Sequence, residues 1–282
     1  MAPVRIVTDS SCDLTAQQAS ELGVEVVPLS IRFGDEEFTD RVELSVDEFY
    51  RRLESSTALP ETAAPSPGAF EEAFKRAVAN GGDSIVCITI SSDLSATFQS
   101  AQNAARALEG QVDVRVVDSR SITLGLGSQV IVAAQAANGG KSTDDIVALV
   151  ESMAQRTHVF GALDTLDYLK KGGRIGGAQA MLGTLLSVKP IVDISSGKVE
   201  EGAKVRTRKK ALQWIADRVL AEPKVEQLWV CHGNADAAEV DEMLGLLEPR
   251  YPRRDVQVGI IGAVIGTHGG PRIMGVTWQQ PE

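Results

Sequence analysis

The chain has 282 residues, 43% of them hydrophobic, and a formal net charge of −10. That length suits two domains better than one core, and the acidic balance argues against a nucleic-acid surface, which is built from clustered Lys and Arg. The cysteines, Cys12, Cys87 and Cys231, are widely spaced and keep no CxxC or His-x-x-x-His company, which favours neither a disulfide framework nor a zinc site.

No basic-then-apolar leader and no apolar run of bilayer length is apparent, so a reduced cytoplasm is the expected compartment. The first half alternates strands and helices. Val4–Thr8 reads as a strand, Leu14–Leu22 as a helix closed by Gly23, and Val24–Leu29 as a second strand. A hairpin follows over Ile31–Phe38, turning at Gly34-Asp35. Ser45 and Glu48 form a capping-box pattern that predicts a helix over Val46–Leu53. Three prolines keep Leu59–Pro67 extended, and Ser66-Pro67 starts a helix running to about Asn80. Ser84–Ile90 and Val112–Val117 read as strands, with a helix over Ser95–Leu108 between them. Gly125–Asn138 is a buried helix and Ser142–Arg156 an amphipathic one. This is the pattern of a doubly wound, mostly parallel sheet, assigned to residues 1–157.

Character changes near Gln155–Phe160, and residues 158–282 read as a smaller α/β domain with a mixed sheet. Helices are predicted over Leu163–Lys171 and Ala178–Leu186, then a hairpin turning at Ser196-Gly197. Lys209–Leu220 and Ala235–Leu247 are helical, Val225–Cys231, Val256–Ile260 and Gly275–Trp278 are strands, and Gly262–Pro271 is a glycine-rich segment.

Three predicted strands end in hydroxyl-rich turns: Asp9-Ser10-Ser11, Ser91-Ser92-Asp93 and Asp118-Ser119-Arg120-Ser121. Parallel strands of an α/β sheet end at one edge, where ligands bind. Neither a dinucleotide nor a nucleotide glycine loop is present, so neutral hydroxyl donors for a small anion are the expectation. His268 sits between glycines that let backbone approach a ligand, with Thr267 beside it. Thr62 lies in the pre-ordered segment Pro60–Pro65. Arg174 follows the Gly172-Gly173 break, and Arg206 belongs to a basic cluster with Lys204, Arg208, Lys209 and Lys210. No G-x-S-x-G elbow, phosphate loop or pair of magnesium carboxylates is visible. Hydroxyls with one histidine and no base-orienting acid suit holding a carboxylate better than attacking a bond. The apolar stretches Ile122–Leu126 and Met181–Leu186 are candidates for a sleeve around a lipid tail or for ordinary core.

The segments Thr8–Leu14, Val27–Glu36, Thr62–Gly68, Ile90–Thr97, Val117–Arg120, Leu169–Ile175, Lys189–Ile191 and Ile261–His268 occur in an order and spacing that resembles the DegV family of bacterial fatty-acid-binding proteins. The resemblance covers nearly the whole chain. It implies a two-domain α/β carrier, not an enzyme, that buries a long-chain fatty acid and needs no cofactor or metal. It also implies presentation of the carboxylate to a separate fatty acid kinase subunit, which makes an acyl phosphate for phospholipid synthesis. By the same resemblance Thr62, Ser92 and His268 hold the carboxylate and Arg174 faces the kinase; Arg206 matches a further family arginine and is assigned to the same surface, and Ser91, Ser95, Thr267 and Gly266 are expected as secondary ligand contacts. Ala63, Ala64, Ala96 and Arg272 depart from the family pattern, which bears on chain-length preference and head-group geometry. The competing readings are a phosphotransferase-like enzyme acting on a small polar ligand and a serine esterase.

Overall fold

The computed structural model describes residues 3–56, 58–184 and 188–282. In chain order its elements are β1 (Val4–Asp9), α1 (Ala16–Leu22), β2 (Glu25–Val27), β3 (Ser30–Phe33), β4 (Glu36–Thr39), α2 (Val46–Ser55), β5 (Glu61–Ala63), α3 (Pro67–Ala79), β6 (Ser84–Thr89), α4 (Thr97–Ala107), β7 (Asp113–Asp118), α5 (Thr123–Asn138) and α6 (Thr143–Arg156). They continue with β8 (Thr157–Ala162), α7 (Asp167–Lys171), β9 (Lys189–Asp193), β10 (Glu200–Val205), α8 (Arg208–Ala221), β11 (Glu226–His232), α9 (Ala237–Leu247), β12 (Gln257–Ile260), α10 (Ala263–Gly269) and β13 (Met274–Gln279).

The fold is mixed α/β, with a parallel sheet and a separate mixed sheet. The parallel sheet has four strands in the order β2-β1-β6-β7. The mixed sheet has six, in the order β10-β9-β8-β13-β11-β12. A three-stranded antiparallel sheet, β4-β3-β5, stands apart from both and places Thr62 opposite Ile31.

Local chemistry explains most boundaries. Thr15 and Gln18 form a reciprocal capping box at α1, as Ser142 and Asp145 do at α6. Ser45 accepts from Glu48 N at α2, while the Glu48 carboxylate turns to Arg51 and Arg52 instead of completing the box. Ser66 caps α3, with Pro67 at its first position. Helix α5 is apolar nearly all round, which suits burial on every side. It packs against β1 of the parallel sheet and against β8, β11 and β13 of the mixed sheet. The largest apolar cluster accordingly runs through both, joining Ile6, Val86 and Ile88 to Val159, Trp229 and Cys231.

Three sequence expectations change, and one element is added. Thr157–Ala162, read from the sequence only as a place where the chain changes character, is a strand between β9 and β13; α6 passes into it with no breaker, because Thr157 both ends the helix and starts the strand. The helix predicted over Leu163–Lys171 shrinks to Asp167–Lys171, because Leu163 N is tied to Pro190 O. The helix predicted over Ala178–Leu186 is a 3-10 segment, Gly176–Thr184, and residues 185 and 186 of that expectation lie outside the described residues. The glycine-rich segment Gly262–Pro271 contains a buried helix, α10, despite two glycines that each disfavour helix by about 1 kcal/mol. Both are required by packing. A Cβ at Gly266 would lie 2.7 Å from Phe49 Cε1 and Tyr50 Oη, and one at Gly269 would lie 2.5 Å from Ile273 Cδ1.

Candidate functional site

His268 stands in the last turn of α10. Its Nε2 lies 3.0 Å from Oγ1 of Thr62 on β5, so residues 206 positions apart meet. The other side of the ring rests on Gly172, where a Cβ would overlap Nδ1 and sit 2.8 Å from Cε1. Nδ1 is buried and has no hydrogen-bond partner among the described residues. Burial first, and the nearby Arg174 charge second, push the imidazole pKa down to about 4, so it is neutral at pH 7. The tautomer with hydrogen on Nε2 avoids an unpaired buried N–H at Nδ1. In that state Nε2 donates to Thr62 Oγ1, and the Thr62 hydroxyl is left to donate onward.

This pair borders a largely apolar cavity of about 140 Å³. Its walls come from Leu29, Ile90 and Ile122 on one side and from Leu163, Val192 and Ile194 on the other, closed by Val264, Ile265 and Ile273. The polar lining is Thr62, Ser95, Arg174 and His268. Each of the four also lines a neighbouring pocket. Ser95 and Arg174 also line one surface depression, and Thr62, Arg174 and His268 line another. Arg174 is exposed, and its guanidinium donates to the carbonyls of Leu94 (3.2 Å) and Gly172 (2.8 Å). One cation thus spans from the loop of Ser95 to the glycine that backs His268. An apolar interior with a few convergent polar groups at its mouth suits an amphiphile with an acidic head.

The structure brings Thr62 and His268 together; Ser92 does not line the cavity, but it lines the same surface depression as Ser95 and Arg174. Ser92 is exposed, and its hydroxyl donates to Asp118 Oδ2 at 2.5 Å, a carboxylate at the end of the neighbouring strand β7. Ser95, three residues further and close to the start of α4, lines the cavity instead. Ser91 is fully buried and donates to Gly197 O at 2.6 Å, so it ties the parallel sheet to the β9–β10 hairpin. The Thr267 hydroxyl donates back to Ala263 O at 2.8 Å, and Gly266 is a packing glycine under Phe49 and Tyr50. Neither lines the cavity. Arg206 is exposed just beyond β10, with no hydrogen bond or ion pair among the described residues.

Of the two apolar stretches, Ile122 lines the cavity, whereas Leu124 and Leu126 are ordinary core. Ala64 and Ala96 line it, Ala63 is exposed, and Arg272 pairs with Glu239 at 2.8 Å. Sequence reasoning missed Gly172 as the seat of the imidazole. It was visible only as half of a helix-ending Gly-Gly pair, because close side-chain approach leaves no periodic signature. Among the described residues no His, Cys, Asp and Glu group suited to a metal ion occurs, and no helix is long and apolar enough to cross a membrane.

The family pattern described as "uncharacterised protein, DegV family" matches residues 3–280. A DegV domain-containing protein of Listeria monocytogenes is 34% identical over 278 residues, covering 98% of each chain. The solved structure of a DegV family protein from Thermus thermophilus, described by its fatty acid binding, superposes with a TM-score of 0.91 at 33% identity over 100% of both chains. A stearic acid-binding protein from Eubacterium ventriosum superposes with a TM-score of 0.87 at 27% identity over 98% of both.

Proposed function

The chain belongs to the DegV family, and from that premise we propose that it is a carrier that binds a long-chain fatty acid, tail in the cavity and carboxylate at the polar mouth. The observation that carries the reading is a cavity lining that is apolar except for Thr62, Ser95, Arg174 and His268, each of which also lines a neighbouring pocket. Solved relatives described as fatty-acid-binding proteins support it.

The tail contributes about 0.8 kcal/mol for each methylene taken from water. The head meets the hydroxyls of Thr62 and Ser95 as donors, with His268 neutral behind Thr62. Each charge-assisted contact contributes roughly 1.5–3 kcal/mol. Arg174 supplies the positive charge from the rim. Ser95 takes the role that the family resemblance gave to Ser92, because Ser92 is held by Asp118. We extend the reading to presentation of the bound carboxylate to a separate ATP-using fatty acid kinase, whose approach would be over the exposed Arg174. The exposure of that guanidinium at the meeting of two surface depressions supports this.

Calorimetric titration of delipidated protein with stearate and with its methyl ester tests the carrier reading. Stearate is expected to bind at least tenfold more tightly, with the difference shrinking in Ser95→Ala and Thr62→Val. Equal affinities would place the head group elsewhere. For the kinase step, Arg174→Ala is expected to abolish acyl-phosphate formation by the partner even at stearate concentrations that saturate the carrier. Undiminished acyl-phosphate formation would remove Arg174 from the docking surface.

A further inference from the structure

The turn after β1, Asp9-Ser-Ser-Cys-Asp13, is the most polar buried stretch of the chain that the ligand site leaves unused. None of its residues lines the cavity, yet Asp9 is 0% and Asp13 4% exposed. Each carboxylate is spent on a different element. Asp9 accepts from Ile90 N at 2.8 Å, at the end of β6, and from Ser11 N at 3.0 Å and the Ser11 hydroxyl. Asp13, in left-handed backbone conformation at φ 57°, reaches the other way. Its Oδ1 accepts from Gly262 N at 3.0 Å and from Arg41 Nη2 at 2.8 Å, and its Oδ2 accepts from Thr123 Oγ1 at 2.6 Å.

Gly262 is the residue on which α10 begins. The approach is close enough that a Cβ there would stand 2.5 Å from Asp13 Oδ1 and 2.8 Å from Arg41 Nη2. The preceding carbonyl, Ile261 O, is held by Tyr50 Oη at 2.9 Å. A seven-residue helix fixed at its first residue has little freedom at its last turn, which carries His268. We propose that Asp13 is a positioning residue: its carboxylate fixes the start of α10 and, through the helix, sets the His268 imidazole against Thr62. The inference rests on the reading that His268 serves the ligand site.

The carboxyl of Asp13 is raised to about 6, by burial foremost, against the opposing pull of Arg41 and the Thr123 hydroxyl. The other titratable or charged groups around it are Asp40 beside Arg41, Cys12 in the same turn, Tyr50 on α2 and Cys231 on β11. Asp9 is likewise raised to about 6 and equally buried, but holds β6 instead of α10, which makes it a matched control.

The test uses the full, ligand-free chain labelled at histidine Cε1. The sequence holds three histidines, so substitution of each assigns the signals. In the native protein the His268 signal is expected to show an inflection near pH 6, besides its own near 4. Asp13→Asn should move the signal and remove the step near 6, and should weaken stearate binding about tenfold. Asp9→Asn should leave the signal in place. An unmoved signal in Asp13→Asn, or an equal displacement in Asp9→Asn, overturns the proposal. Should Asp13→Asn fail to fold, Gly262→Ala displaces the same contact without removing a carboxylate, and an unmoved His268 signal there overturns it too. Because the signal is read without ligand, stearate affinity unchanged by His268→Gln would count against the carrier reading alone.

Discussion

The cavity mouth and the polar frame beneath it solve the problem of buried polarity in opposite ways. At the mouth, burial keeps an imidazole neutral, and hydroxyls carry the hydrogen bonds. In the frame, Asp9, Asp13 and Asp40 are buried with Arg41, and burial raises every one of the three carboxyls. On the carrier reading the mouth takes up and releases a ligand, and apart from the rim cation Arg174 its polar groups are neutral and only partly committed. The frame is packed inside the fold, and its ionisable groups bond to one another and to buried backbone. Loss of a frame group should therefore register mainly as stability, and loss of a mouth group mainly as affinity.

The largest expected effect is in the frame. Asp13→Leu leaves Arg41 at a half-buried site with the Leu14 carbonyl and a single carboxylate, Asp40, 4.0 Å away, and should cost about 3 kcal/mol in urea denaturation. A loss under about 1 kcal/mol would mean that the network is not structurally taut. Gly172→Ala comes next. Its φ of −72° suits alanine, so the backbone is not strained, but the new methyl displaces His268. Stearate affinity should fall about tenfold with the midpoint of unfolding little changed. A fall in stability alone would show that the ring and Gly172 are not coupled to the ligand. Smaller still is the contrast between the two serines: Ser95→Ala should cost about 1–2 kcal/mol of binding, and Ser92→Ala less than about 0.5. Reversal of that order would return the carboxylate to Ser92.

The pH response separates the two regions by sign. A folded His268 with its pKa lowered to about 4 binds fewer protons than the unfolded chain, so its contribution to stability is present above pH 6.5 and lost as pH falls towards 4. The raised carboxyls of Asp9 and Asp13 do the reverse: between about 4 and 6 the folded state holds more protons, so their contribution declines as pH rises. The native protein should show these slopes opposing one another. His268→Gln should leave the decline alone, giving a steeper fall in stability from pH 4 to 6. An unchanged pH profile in that variant would show that the imidazole titrates normally.

The alternation of strands and helices was legible because capping residues punctuate it, as at Thr15, Ser45, Ser66 and Ser142. Strand β8 was not, because α6 runs into it without a glycine or proline. Helix α10 was hidden for a different reason. Its glycines read as backbone freedom but serve close contact with Phe49, Tyr50 and Ile273. The importance of a hydroxyl loop after β6 could be read from composition. Which of its serines faces inward could not, since that depends on Asp118, 26 residues away, capturing Ser92. The frame was visible only as the motif Asp9–Asp13, with nothing in the sequence to pair it with Arg41, Thr123 or Gly262.

The most direct test of the central claim is the identity of the molecule that accompanies the protein through gentle purification, read by native mass spectrometry and then by extraction. A single fatty acid per chain, displaced by added stearate, is the predicted result. A chain that emerges empty and stays empty after incubation with stearate, or that retains a molecule with no carboxylate, would contradict the account.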